Sequence, residues 1–295
     1  MPDLRCAQRY NRAMLALEKR HSRALGRIWL EARGPMLDAL LQMGIAAPML
    51  AWRQVDLIRQ AQAQISDAQR RYLQEAAELA GQLAACQGVE ELTAAQAAAQ
   101  VAQAVASGAA STAWQMQTQA RFTADVMRLQ LGGESTGEAA AALFARGIDA
   151  TGRASTFRKA EQDLLLAGHG ALWGLAGAAL AALYLVHNAR YDGRFQKQAI
   201  AAIDERTTNC CLRVHGQVQP MDKPFRIEGT PRYSDRQQNP PFHWYCRTAV
   251  TLYSAEMEET GLTTAEMQAA ARAELAARED GSRVEIHPAS ATSRR

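Results

Sequence analysis

Long stretches without helix-breaking residues dominate this sequence. Residues 51–80 contain neither Gly nor Pro, and the apolar residues between Leu4 and Arg33 recur at the spacing of one helix face. About a fifth of the 295 residues is Ala and only 6% is aromatic, and Ala is the strongest helix former. The sequence therefore predicts a mainly α fold built from long helices.

The predicted helices fill the N-terminal half of the chain. Residues 1–150 are interpreted as an elongated helical bundle that makes assembly contacts. The pattern predicts helices over residues 4–33, 35–43 and 48–86, Ala- and Gln-rich helices between 92 and 131, a loop at 131–137 and a short helix over 138–146.

An apolar helix is predicted to connect this bundle to the rest of the chain, over residues 151–188. Its segment 164–186 has 23 residues without a formal charge, which is long enough to span a bilayer. Four Gly, at positions 168, 170, 174 and 177, and His169 interrupt it, and small residues at these spacings equally suit a helix packed against other helices. The packed helix is favoured, and a membrane-active segment stays the alternative.

The pattern changes after His187. Five Pro between positions 220 and 241 break the helical periodicity, and residues 217–219, 225–227 and 247–253 alternate as short strands do. We therefore predict a small α+β module over residues 189–253. A charged C-terminal helix and a flexible basic tail are expected over 254–295.

Charge is modest overall and concentrated near the start. A net charge of +3 is too small for the whole chain to bind nucleic acid. The first helix together with the preceding Asp3, however, carries eight basic residues against three acidic ones. This helix face is either simply solvated or a docking surface for an acidic protein surface or DNA. The candidate contact residues are Arg5, Arg9, Arg12, Lys19, Arg20 and Arg23.

The five Cys predict a reducing compartment. Cys6 and Cys86 stand alone in helical stretches, and the chain opens without an apolar signal core. An odd number of Cys in this setting favours metal-bound or buried thiols over a disulfide framework.

Two Cys/His pairs flank one long loop. Cys211 and His215 lie four residues apart, and two residues separate His243 from Cys246, as in a zinc knuckle. Together they could form a Cys2His2 structural zinc site, with Cys210 as a substitute ligand. The alternative is a group of buried thiols and hydrogen-bonded histidines. No recognisable nucleophile signature accompanies these residues, so we predict that the chain is not an enzyme.

A polar turn precedes the first of these pairs. Asp204 or Thr207 could cap the following helix through a side-chain oxygen. Arg206 could form a fork onto a carboxylate or backbone carbonyls and so fix the loop. Both roles are structural.

The two blocks DERTTNCCLRVHGQV and NPPFHWYCRTAV resemble the phage Mu F-like minor head protein family. Members carry an Asp-x-Arg-Thr, Cys and Gly block followed by a Pro-Pro-x-His-x-x-Cys-Arg block, and the resemblance covers about residues 185–253. Thr248 stands where many relatives have a second Cys. The signature positions carried over are Asp204, Arg206, Thr207, Cys211, Gly216, Pro241, His243, Cys246 and Arg247.

The resemblance implies a structural virion protein of a tailed double-stranded DNA phage. Such a protein is made in the host bacterial cytoplasm, joins the head near the portal in multiple copies, and contacts the portal protein, the major capsid protein or packaged DNA. Two other functions remain open: a membrane-active ejection protein that uses residues 164–186, and a zinc-dependent nucleic-acid-binding protein.

Overall fold

The computed structural model describes residues 4–89, 109–148, 152–257 and 263–282. Within these ranges 67% of the residues are helical, which confirms the predicted mainly α fold. The helices are α1 (Leu4–Met43), α2 (Leu50–Cys86), α3 (Ala109–Gly132), α4 (Thr136–Phe144), α5 (Thr156–Arg190), α6 (Asn209–Val214) and α7 (Thr264–Glu279). The predicted helices over 92–108, the break near Gly261 and the basic tail after 282 lie outside the described residues.

Helix α1 is continuous where two helices were predicted. It runs through Pro35, although a Pro inside a helix removes one backbone hydrogen bond and costs about 3 kcal/mol. The apolar stripe explains the difference, because Met36 and Leu40 are fully buried on the far side of the proline. Burial of each such side chain contributes roughly 1.5–3 kcal/mol, which together exceeds the cost of the proline.

The chain forms two compact units, and the predicted boundaries at residues 150, 188 and 253 stay a prediction. The first, here called the helical unit, comprises Lys19–Tyr72 and Ala106–His169. Trp29 stacks on Phe157 at 4.6 Å between ring centroids, and Trp114 meets Trp29 edge-on at 5.2 Å. Each indole N–H donates to a backbone carbonyl of α5. The few aromatic residues thus supply the centre of this core.

The second, here called the mixed unit, comprises Met1–Glu18, Leu73–Val105 and Gly170–Arg295. Its three-stranded antiparallel sheet has the order β2-β1-β5, and a separate pair is formed by β3 and β4. The strands are β1 (Gln196–Ala201), β2 (Val218–Pro220), β3 (Phe225–Arg226), β4 (Arg236–Gln237) and β5 (Thr248–Tyr253). Three of them, β2, β3 and β5, fall within a residue of the predicted positions, whereas the central strand β1 had no prediction.

Helix α5 contains the uncharged segment. In the part of the chain that the structure describes, it is the one helix long and apolar enough to cross a membrane. Of the residues in its most apolar 18-residue stretch, 56% are buried. Within the mixed unit, a Cβ at Gly177 would lie 2.9 Å from the carbonyl oxygen of Pro240. The Trp173 indole N–H donates to a Glu18 carboxylate at 2.9 Å. This part of α5 therefore packs closely against protein.

Two of the five Cys form a disulfide, contrary to the expectation of thiols alone. Cys6 at the start of α1 and Cys86 at the end of α2 are joined, with their Cα atoms 6.0 Å apart. This spacing is normal for a disulfide. Their 80-residue separation in sequence concealed the pairing, because only helix packing brings the two ends together.

Candidate metal centre

The two sequence blocks meet because of strand pairing. Strands β1 and β5 are antiparallel neighbours, with Ala201 opposite Thr248. The chain that leaves β1 therefore lies beside the chain that enters β5. The first block follows Ala201, and the Cys and Arg of the second block come directly before Thr248, so sheet formation places the two blocks side by side.

An ion pair joins the blocks directly. The guanidinium of Arg247 donates two hydrogen bonds to the carboxylate of Asp204, at 2.6 and 2.8 Å. Burial acts to raise the pKa of Asp204, but the hydrogen bonds and charge of Arg247 outweigh it and hold the pKa below its ordinary value. Such a bidentate pair fixes both distance and orientation.

The residues between Asp204 and α6 act differently from the prediction. Arg206 has an exposed side chain, and its backbone N–H donates to Asp204 at 2.9 Å. The Thr207 hydroxyl donates to the carbonyl of Ala202. Neither Asp204 nor Thr207 caps α6, whose N-cap is Thr208 without a side-chain cap hydrogen bond. The bidentate contact with a carboxylate, predicted for Arg206, is made by Arg247 of the second block instead. Strand pairing brings Arg247 to this turn.

Helix α7 holds the same turn from the other side. Arg278 donates to the carbonyls of Thr207 and Asp204, at 2.6 and 3.1 Å. It also pairs with Glu274 at 3.2 Å, and both side chains are only 6% exposed. Sequence reasoning missed this contact. The i, i+4 spacing of Glu274 and Arg278 was the one available signal, and it is common on exposed helices.

The Cys and His side chains of the two blocks form a buried cluster. Sγ of Cys211 lies 3.0 Å from Nε2 of His243 and 3.7 Å from Sγ of Cys246. Cys210, Cys211 and His243 have donor atoms within 4.8 Å of one another and could hold a metal ion. All four side chains are at most 2% exposed. A buried set of thiols and an imidazole suits ion binding better than attack on a substrate.

The hydrogen bonds of His243 determine which ring nitrogen is available. Its Nδ1 contacts the carbonyl of Trp244, which can only accept, so Nδ1 must carry a hydrogen. In the neutral ring Nε2 then has a free lone pair, directed at Cys211 and at the Thr208 hydroxyl 2.8 Å away. Histidines that bind metals commonly donate their second N–H in this way.

His215, one of the predicted ligands, is occupied elsewhere. Its Nδ1 accepts the backbone N–H of Ala201 at 2.9 Å. The ring is buried, and burial lowers the pKa of His215 to about 4. Of the predicted set, the structure therefore brings together Cys211, His243 and Cys246, and Cys210, the substitute ligand of that prediction, lies with them.

Protons are shared within the cluster. Burial acts to lower the pKa of His243, but hydrogen bonds and charge from Cys211 and Cys246 raise this pKa to about 10. Burial raises the pKa of the Cys246 thiol well above its ordinary value. A hydrogen bond with Cys211 lowers the pKa of Cys210. The thiols and the imidazole thus compete for a small number of protons. A bound cation would take the place of these protons, because metal ligands bind in their deprotonated forms.

Two further signature positions have packing roles. Gly216 has φ +75°, and a Cβ there would lie 3.1 Å from Gln268 and 3.3 Å from Met267 of α7. This turn requires Gly for both reasons. Pro241 follows a cis peptide bond and lies 3.8 Å from the position of a Cβ at Gly174 on α5.

The predicted contact residues of α1 are all exposed. Arg9 donates to Sγ of Cys86 at 3.1 Å, and Arg12 donates to the carbonyl of Gln8 at 3.4 Å. The exposed set is Arg5, Arg9, Arg12, Lys19, Arg20 and Arg23.

No model of a known protein family, no curated protein and no solved structure matches this chain.

Proposed function

We propose that this chain is a minor head protein of a tailed double-stranded DNA phage, with a structural role in head morphogenesis. The meeting of the two motif blocks is the observation that supports this. Asp204 pairs with Arg247, and Cys211 contacts His243 and Cys246. The signature residues thus contact one another, as expected of a Mu F-like module that is kept for its shape rather than for catalysis.

The same module holds a structural zinc ion at its Cys/His cluster. Thiolate and imidazole are the ligands that structural zinc uses, and closed, buried sites are typical of it. The contacts of Cys211 with His243 and Cys246 support this assignment. Zinc would tie α6 to the segment before β5, in parallel with the ion pair.

The exposed basic residues of α1 are docking contacts of the protein, Arg5, Arg9 and Arg12 in the mixed unit and Lys19, Arg20 and Arg23 in the helical unit. They contact the portal protein, the major capsid protein or packaged DNA while heads assemble in the host cytoplasm. The finished virion then carries several copies near the portal. The exposure of all six basic side chains supports this assignment.

Head incorporation tests the proposal. Glu substitutions at Arg5, Arg9 and Arg12 should lower the amount of this chain in purified heads, measured by quantitative immunoblot. The matched control reverses three exposed cations of α2, Arg53, Arg70 and Arg71, and should leave incorporation unchanged. If wild-type heads lack the chain, the proposed function is wrong.

The length of α5 favours a second candidate, a membrane-active ejection protein. Flotation of the full chain with anionic phospholipid vesicles separates the two. A head protein with a packed α5 should stay at the bottom of the gradient. Stable flotation in high salt, where electrostatic adsorption is weak, would favour the second candidate.

A further inference from the structure

We infer that the zinc ligands are Cys210, Cys211, His243 and Cys246, and that His215 is not a ligand. This Cys3His assignment rests on the proposed zinc ion but not on the proposed role in phage heads. In the ligand set predicted from residue spacing it replaces His215 with the substitute Cys210.

The contacts of Cys211 approach the distances of a tetrahedral site. Cys246 lies outside the group of three residues whose donor atoms are all within 4.8 Å of one another, so its Sγ would have to move inward when an ion binds. With Zn–S bonds of about 2.3 Å, two sulfur ligands lie roughly 3.8 Å apart, and Sγ of Cys211 and Cys246 are 3.7 Å apart. A sulfur and a nitrogen ligand lie roughly 3.5 Å apart. The 3.0 Å between Cys211 and His243 would therefore open by a few tenths of an ångström, within reach of side-chain torsions.

Cys210 supplies the fourth donor atom. Its Sγ is within 4.8 Å of the donor atoms of Cys211 and His243. The thiol is fully buried and its hydrogen bonds to the carbonyl of Pro231 at 2.6 Å. A divalent cation would displace that hydrogen, as it must for any thiol ligand.

The tautomers of the two histidines explain why one is a ligand and the other is not. His243 must protonate Nδ1, so the neutral ring, which an ion would select by displacing the second proton, has its Nε2 lone pair within the cluster. His215 must leave Nδ1 unprotonated, because this atom accepts the N–H of Ala201. The hydrogen of neutral His215 is then on Nε2, so neither ring nitrogen has a lone pair for a metal.

The assignment is tested by measuring the ligands of the zinc ion, its coordination shell, in the full chain. Protein produced with zinc in the medium and purified without chelators should contain one zinc per chain by elemental analysis. X-ray absorption at the zinc edge should give three sulfur ligands and one nitrogen ligand. Cobalt substitution should give the tetrahedral absorption bands and the thiolate charge-transfer band.

Two variants locate the ligands. Cys210→Ser should lose one sulfur from the shell and release its zinc at a lower chelator concentration. His215→Asn keeps an acceptor for Ala201 and should leave zinc content and the three-sulfur shell unchanged. Because the wild-type shell is measured directly, a variant that fails to fold does not decide the result.

Other outcomes would overturn this assignment in distinguishable ways. A shell of two sulfurs and two nitrogens that changes in His215→Asn would keep the zinc but replace Cys210 with His215. A chain that binds neither zinc nor cobalt, or that has a disulfide between Cys211 and Cys246, would remove the metal site altogether. Neither result would bear on incorporation into heads.

Discussion

At the residue scale, the ion pair between the blocks is the most direct contact. Arg247→Ala removes two charge-assisted hydrogen bonds from the half-exposed Asp204 carboxylate. We expect the free energy of unfolding to fall by about 1–3 kcal/mol, measured by urea denaturation. Arg206→Ala is the matched control, because that side chain is exposed, and it should change stability by less than about 0.5 kcal/mol. Equal losses of unfolding free energy in Arg247→Ala and Arg206→Ala would contradict the bidentate ion pair of Arg247 with Asp204.

His215 predicts a pH dependence. Burial lowers its folded pKa to about 4, below the value of about 6.5 in an unfolded chain. The folded state therefore favours the neutral ring. Its contribution to stability is complete above pH 6.5 and is lost as the pH falls towards 4.

When the pH is lowered from 7.5 to 5, protonation of His215 should reduce the free energy of unfolding by about 2 kcal/mol. His215→Asn does not titrate, so its urea midpoint should fall less over the same range. Zinc ligands also take up protons in acid, and the comparison of the two proteins subtracts that shared effect. Parallel pH profiles would show that His215 is not buried as a neutral ring.

At the scale of elements, two of the four glycines of α5 differ clearly in their surroundings. A Cβ at Gly177 would lie 2.9 Å from the carbonyl of Pro240, whereas a Cβ at Gly170 meets nothing within 4 Å. Gly177→Ala should lower the melting temperature. Gly170→Ala should keep or raise it, because Ala favours a helix by up to about 1 kcal/mol. The two variants are equally apolar, so a difference between them reports packing against Pro240 and not hydrophobicity.

Helix α7 is part of the candidate site. Arg278→Ala removes the hydrogen bonds to the turn and leaves the buried Glu274 carboxylate without that partner. The expected loss is about 3–5 kcal/mol of unfolding free energy, as for other broken buried pairs. Arg272→Ala on the exposed face of α7 is the control. A loss no greater than the control would mean that α7 does not stabilise the turn.

At the scale of the whole molecule, the disulfide closes a loop of about 80 residues. A cross-link over this length stabilises a chain by roughly 4.5 kcal/mol in the loop-entropy model. Cys86→Ser should therefore lower the melting temperature of the oxidised protein by several degrees. Mass spectrometry of the unreduced wild type should show the linked peptides. Free thiols at both positions in non-reducing buffer would contradict the pairing.

Much of the candidate site was visible in the sequence. The blocks named Asp204, Arg247, Cys211, His243 and Cys246, and the structure brings these residues together. The sequence did not distinguish the two histidines. Their roles depend on which backbone group each ring nitrogen meets, and a four-residue spacing contains no such information.

The sequence by itself determined the mainly helical character, because helix propensity and the 3.6-residue period are local properties of long stretches without breakers. Only the tertiary structure decided the strand β1, QKQAIA, whose Gln, Lys and Ala predict no strand. It is a strand because β2 and β5, distant in sequence, pair with both of its edges and bury it. The disulfide and the contact of Arg278 with the turn follow from the same cause. Each depends on which distant segments meet, and residue type and spacing along the chain do not specify that.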